Sequence, residues 1–300
     1  MAGIMRERFA DVATELLDTD DRLAVLTADL SAKLFDDARG RHPDRVLNLG
    51  IREQLLISVA GGLSLAGMRP IAHSFAPFLV ERPFEQIKLD LNHQAVGAVL
   101  VSAGASYDIA SGGRSHQSPG DVALLATLPD WTIHVPGHAD EAEAMLRAAA
   151  AADDLVYLRL SNQANESAFG QGFHVLRRGG AGTVLAVGPL ADTVLAATAG
   201  LQVTVLYTST VRPFDHEFLR AAVADQATPS IVLVEPYLAG TSTQEVSEAL
   251  RDRPHRVLGL GVGRDELRNY GSPRQHAIAH GLGAAGLRKS IVTFLGQPAR

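Results

Sequence analysis

Apolar residues along this chain alternate between two rhythms. Short apolar runs, LAVLT at 23–27, PIAHS at 70–74, AVLVS at 98–102, TIHVP at 132–136 and LVYLR at 155–159, are too brief for buried helices and rich in β-branched side chains. They read as strands buried on both faces. Between them apolar positions recur at three- and four-residue spacing, which predicts helices near 5–18, 52–66, 78–93, 118–128 and 138–151. Strands alternating with helices of this length predict a mainly parallel sheet covered on both sides. Such sheets hold ligands at the carboxyl ends of their strands, where Asp29, Ser74 and Ser102 fall.

The rhythm lapses over 161–182, SNQANESAFGQGFHVLRRGGAG, where Gly, Asn, Ser and Gln dominate and no period is sustained. It then resumes. TVLAVG, QVTVLY, SIVLVE and RVLGLG read as strands, with helices beginning near Asp192, Asp215, Ser242 and Arg274. The expected organisation is α/β with two doubly wound domains: a mainly parallel-sheet domain over 1–165, a linker over 166–182 and a smaller domain over 183–300.

Composition narrows the class. Three hundred residues at 46% apolar content can bury one large core or two ordinary ones. No apolar run is long enough to cross a membrane, and MAGIMRERFADVATELL is amphipathic with acids rather than a secretory leader, so a cytoplasmic protein is expected. The absence of cysteine excludes disulfides, thiol nucleophiles and cysteine metal sites. A net charge of −6 with no basic stripe argues against a nucleic-acid partner.

The most informative stretch is LNLGIREQLLISVAGGLSLAGMRPIAHSF, 47–75. It reads as an apolar approach, a turn at Gly50, and a helix that begins on Glu53 and carries Leu56, Val59, Ala60 and Leu63 on one face. An acidic residue in a first turn can simply complement the helix dipole. Alternatively, a carboxylate fixed at the mouth of an α/β sheet and walled by apolar side chains has its pKa raised by desolvation, and can share a proton with a bound heterocycle.

GIREQ, the small-residue helix behind it, Gly67-Met68-Arg69-Pro70 and HSFAPF together resemble the pyrimidine-binding domain of transketolase-like enzymes that use thiamine diphosphate. The likeness continues in SHQSPGDVALLATLPDWTIHVPGHADEAEAML and, more weakly, in the C-terminal half. It implies that Glu53 shares a proton with the pyrimidine ring nitrogen of the cofactor, and that Phe78, with Phe75 beside it, forms the floor on which that ring stacks. Asp29 is placed on the cofactor's side. His116 faces the reacting carbonyl of the substrate, and Gln117, Arg82 and Arg114 are placed along the substrate channel. Arg82 has a second reading, as a solvated charge or a partner of Glu81 or Glu85, and Phe75 and Phe78 have one as core residues. No residue of this chain is read as a metal ligand.

Absences shape the expectation too. The family's Gly-Asp-Gly motif, which holds the diphosphate and its Mg2+ (or Ca2+), does not occur in this sequence. The resemblance therefore implies the beta half of a split enzyme that needs a separate alpha subunit, in an α2β2 assembly. The beta subunit of a 2-oxo acid dehydrogenase and a non-catalytic scaffold are the alternatives. Three polar residues expected near the substrate are missing: an Asp falls at Gly112, a His at Gly104 and a phosphate-facing Arg near Asn162. Unless Arg82, Arg114 or Arg159 compensates, an unusual donor or acceptor is implied.

Overall fold

The computed structural model describes residues 5–268 and 270–296; the outermost residues of both expected domains, and Asn269, lie outside them. Seven strands form the first sheet: β1 (Leu23–Thr27), β2 (Val46–Asn48), β3 (Arg69–Phe75), β4 (Ala98–Ala103), β5 (Trp131–His134), β6 (Leu155–Arg159) and β10 (Thr210–Arg212), in the order β10-β5-β6-β4-β3-β1-β2. All neighbours run parallel except β10, which is antiparallel to β5. The second sheet has the order β12-β11-β8-β9-β7, built from β7 (Phe173–Arg177), β8 (Thr183–Val187), β9 (Thr204–Thr208), β11 (Ser230–Leu238) and β12 (Arg256–Val262).

Strand parity decides which layer each residue joins. Val25, Val99 and Val101 point to the face covered by the helices Met5–Thr19 and Ala139–Ala151, where they meet Phe9, Leu17 and Leu146. Leu26, Leu100 and Tyr157 point the other way, toward Leu56 and Ile57 of the helix Glu53–Leu65. That second cluster runs on without a break into Leu185, Leu206 and Leu233 of the second sheet, so the two halves share one core. The opposite face of the second sheet, with Val184, Val205 and Val232, packs on Leu287 and Ile291 of the helix Ala284–Leu295. Among the described residues no helix is long and apolar enough to cross a membrane.

Three expectations about elements change. The stretch 78–93 is a broken helix, with wide π-helical turns at Pro77–Glu81 and Ile87–His93 around the short α-helix Phe84–Gln86. Pro83 has no N–H to continue the ladder. The helix over 118–128 shrinks to Asp121–Leu125, and the loop before it folds into 3₁₀ turns at Ala110–Gly112 and Arg114–His116. Within the expected linker, residues 173–177 form β7, an antiparallel edge strand on β9. β2, β10 and the helix Ala284–Leu295 have no counterpart in the sequence reading; β2 and β10 span only three residues each, too few to show a period.

Candidate active site

The turn that delivers Glu53 is built from its own backbone and from Asp29. Asn48, the last residue of β2, accepts the amide N–H groups of Asp29 at 3.0 Å and Gly50 at 3.1 Å, and donates to the Asp29 carboxylate at 2.9 Å. Gly50 has φ +68° and Asp29 φ 62°, left-handed values open to Gly and tolerated by Asp. Asp29 is thus engaged with Asn48 in shaping the approach to the helix, rather than with Glu53 itself.

Glu53 follows as the first residue of its helix and is only 1% exposed. Ser74, at the carboxyl end of β3, donates its hydroxyl to Oε1 at 3.3 Å. Arg82 Nη1 donates to Oε2 at 2.6 Å. An isolated buried carboxylate would be costly to desolvate, and the guanidinium offsets that cost. Arg82 pairs with Glu53, a partner outside those considered from the sequence, because the π-helical turn at Pro77–Glu81, closed by the Arg82 amide on the Pro77 carbonyl, re-aims its side chain toward the sheet.

Around this pair the aromatic residues converge. The Arg82 guanidinium stands 4.1 Å from the centre of the Phe78 ring. Phe78 meets the His116 imidazole edge-on at 5.1 Å, and Phe75 lies 5.8 Å from His116 and 6.2 Å from Phe78. Glu53, Arg82, Phe78, Phe75 and His116 therefore form one continuous group, although the chain separates its ends by more than sixty residues. The Ser115 hydroxyl lies 3.1 Å from His116 Nδ1 and can fix the tautomer.

Gln117 and Arg114 face elsewhere. They line a cavity of ≈ 240 Å³ between the two halves, with Tyr107, Arg264, Glu266 and His280. Across that boundary Tyr107 stacks on His276 and His280 at 5.8 and 6.0 Å. The extended backbone of Gln117 sends its side chain away from the one His116 presents to the phenylalanines.

The three departures from the family pattern are locked in place. A Cβ at Gly112 would lie 2.7 Å from His116 Cγ, and one at Gly104, which has φ +71°, would lie 2.5 Å from Ile109 Cδ1. The imidazole and Ile109 occupy the space that larger residues would need, a substitution invisible without the fold. The Asn162 amide donates to Asp108 at 2.7 Å, joined there by the Ser161 hydroxyl at 3.0 Å. Burial pushes the Asp108 carboxyl up to about 6.

Arg159 is withdrawn as a replacement phosphate ligand. It is buried, donates to Asp121 at 2.7 Å and to Ser106 Oγ at 2.7 Å, and stands over Tyr237, so its charge is spent inside the fold. Its place as the last residue of β6 does not distinguish, in sequence, a buried side chain from an exposed one. Among the histidines, His73 is buried; its Nδ1 donates to the Val101 carbonyl at 2.7 Å and its Nε2 accepts from Ser31 at 3.0 Å. Burial lowers its pKa to about 4, which makes it a neutral core residue. No group of three or more His, Asp or Glu that could hold a metal occurs among the described residues.

Residues 4–166 match the transketolase pyrimidine-binding domain. Over 292 residues the chain is 51% identical to an uncharacterised 33.6 kDa protein in the fasciation locus of Rhodococcoides fascians, covering 96% of this chain and 94% of that one. It is 31% identical over 237 residues to a 6-deoxy-6-sulfo-D-fructose transketolase subunit of Clostridium sp., covering 73% and 72% of the two. Its structure is similar to that of a split-gene transketolase in an inactive beta4 tetramer, with TM-score 0.84, 28% identity and 99% of both chains covered.

Proposed function

We propose, because this chain belongs to the transketolase family through the pyrimidine-binding domain at residues 4–166, that it is the beta subunit of a thiamine-diphosphate-dependent transferase that moves a two-carbon ketol unit together with a separate alpha subunit. The observation that carries this reading is the buried Glu53 carboxylate, linked through Arg82 to the Phe78 face. Those two groups fit a planar, basic heterocycle: one offers an acceptor in a site closed to water, the other a flat apolar surface.

When bound, thiamine diphosphate supplies the nucleophilic carbon that accepts and releases the two-carbon fragment. The chain's own residues hold and orient it. Glu53 shares a proton at its carboxylate, with Ser74 fixing Oε1 so that Oε2 is the reactive edge. Phe78, braced by Phe75, carries the ring. His116 sits against both phenylalanines, where its imidazole can give or take a proton at the substrate's oxygen.

The diphosphate and its Mg2+ or Ca2+ are assigned to the alpha subunit, since no Gly-Asp-Gly occurs here. An α2β2 assembly in the cytoplasm completes the reading. With Gly104 and Gly112 closed to larger side chains and Arg159 committed to Asp121, the usual sugar-phosphate contacts are missing. The donor or acceptor is therefore an unusual one, and ordinary pentose phosphates are poor substrates. Of the cations considered as replacements, Arg82 pairs with Glu53 and Arg114 lines the cavity between the two halves.

The test is reconstitution with a partner that carries the Gly-Asp-Gly motif. Calorimetry should find weak or no thiamine diphosphate binding to the chain alone and magnesium-dependent binding to the pair. Tight binding to the single chain would refute the shared site. Turnover of xylulose 5-phosphate and ribose 5-phosphate at rates on the order of 1–10³ per second would refute the substrate reading.

A further inference from the structure

One side chain already engages both features that the proposed function assigns to the cofactor ring. Arg82 Nη1 donates to Glu53 Oε2 at 2.6 Å while its guanidinium carbon stands 4.1 Å from the centre of Phe78. A guanidinium is planar and delocalised, with N–H donors along its edge and a face that stacks on aromatic rings. An aminopyrimidine offers a matching set: a flat face for stacking and, at its protonated ring nitrogen, an N–H donor for a carboxylate. Two such planes cannot occupy one carboxylate edge and one ring face together.

We propose that Arg82 is a built-in stand-in for the pyrimidine, which closes the half-site in the free chain and must leave before the cofactor ring can enter. This rests on the assignment of Glu53 and Phe78 above. The stand-in answers a physical need, because Glu53 is 1% exposed and without a cationic partner would be a buried, unpaired charge whenever the cofactor is away.

The route out is open. The Arg82 side chain is 37% exposed and follows the wide turn at Pro77–Glu81, so it can rotate into solvent without crossing the core. Ser74 still holds Oε1 when Oε2 is released, so the carboxylate keeps its orientation as partners change. The arrangement also makes the order of events thermodynamic. Apparent cofactor affinity falls by the fraction of molecules that are open, so a closed form favoured ten to one weakens binding about tenfold.

The experiment measures the dissociation constant of thiamine diphosphate for the reconstituted pair by calorimetry, with wild type, Arg82→Gln and Arg82→Lys, each first checked for folding by thermal melting. Arg82→Gln should bind the cofactor about tenfold more tightly than wild type, because the competitor is gone. Arg82→Lys, which keeps the charge but loses the planar face, should fall between them. If Arg82→Gln does not fold, Arg82→Lys alone decides, and tighter binding than wild type supports the proposal. Equal or weaker binding by the folded variants, with wild type binding normally, would overturn the stand-in and leave the proposed function intact. No binding by wild type would overturn the proposed function, and the stand-in with it.

Discussion

Glu53 concentrates more of the site's physics than any other residue, since it is at once a helix start, a buried charge and the proposed proton partner. Glu53→Gln keeps the shape and the bond to Ser74 but removes exchangeable charge. Activity of the reconstituted pair should fall by at least about a hundredfold, the scale of a lost proton-transfer group, with the melting temperature little changed. Steady-state kinetics alongside thermal melting checks it; normal turnover would remove Glu53 from its role. The opposite experiment applies at Gly112. Restoring the family's carboxylate with Gly112→Asp should not restore sugar-phosphate turnover, because its Cβ would press to 2.7 Å of His116 Cγ. Overpacking of this kind costs about 1–3 kcal/mol. Denaturant unfolding should show that loss, and a variant that is as stable as wild type and turns over pentose phosphates would show that the imidazole yields freely.

At the scale of elements, a buried carboxylate can hold a turn where no side chain caps the helix that follows. Glu235, inside β11, accepts the Gly240 N–H at 3.1 Å and the Ser242 N–H at 3.0 Å, and so fixes the turn that leads into the helix Thr243–Ala249. Burial raises its pKa from 4.5 to about 7. The folded state therefore favours the protonated form: this contribution to stability is complete below pH 4.5 and is lost as pH rises through 7. At about 1.4 kcal/mol per pH unit the span is worth roughly 3 kcal/mol. Urea unfolding measured from pH 4.5 to 8 should show a decline in wild type relative to Glu235→Gln, the difference between the two isolating this group from Asp108 and His73; the same slope in both would assign it elsewhere.

The whole molecule is tied across its middle. Glu141 is 2% exposed and accepts the Tyr207 hydroxyl at 2.6 Å and the N–H groups of Gly137 at 2.8 Å, Phe169 at 2.7 Å and Gly170 at 3.1 Å. It thus joins the first half, the connecting segment and β9 of the second sheet. β10 adds a strand from the C-terminal half to the first sheet, and Ser106 donates to the Pro236 carbonyl. Glu141→Ala leaves the Tyr207 hydroxyl and the Phe169 and Gly170 N–H groups without their acceptor, while Gly137 keeps Tyr207 Oη at 3.2 Å; at 1–3 kcal/mol for each donor that water cannot reach, a loss of at least about 3 kcal/mol is expected. Calorimetric melting should also broaden or split as the halves uncouple. A single sharp transition at the wild-type temperature would show that the shared core alone couples them.

The sequence by itself determined what depends on local periodicity and on residues close together in the chain. The β-branched runs marked the long strands, the spacing of Leu56, Val59, Ala60 and Leu63 marked the helix behind Glu53, and the missing Gly-Asp-Gly pointed to a shared site. Phe75, Phe78 and His116 were legible through their motifs, and the structure brings them together. Tertiary structure decided what depends on partners distant in sequence. The three-residue strands β2 and β10 exist because a neighbouring strand pairs with them. Arg159 turned inward because Asp121 lies within reach, and Asp29 was taken up by Asn48. Arg82 turned to Glu53 because a π-helical turn changed its direction by a fraction of a residue's rotation. A charged side chain carries no mark of its partner in one dimension; its direction in the fold and the cost of burying it alone choose one.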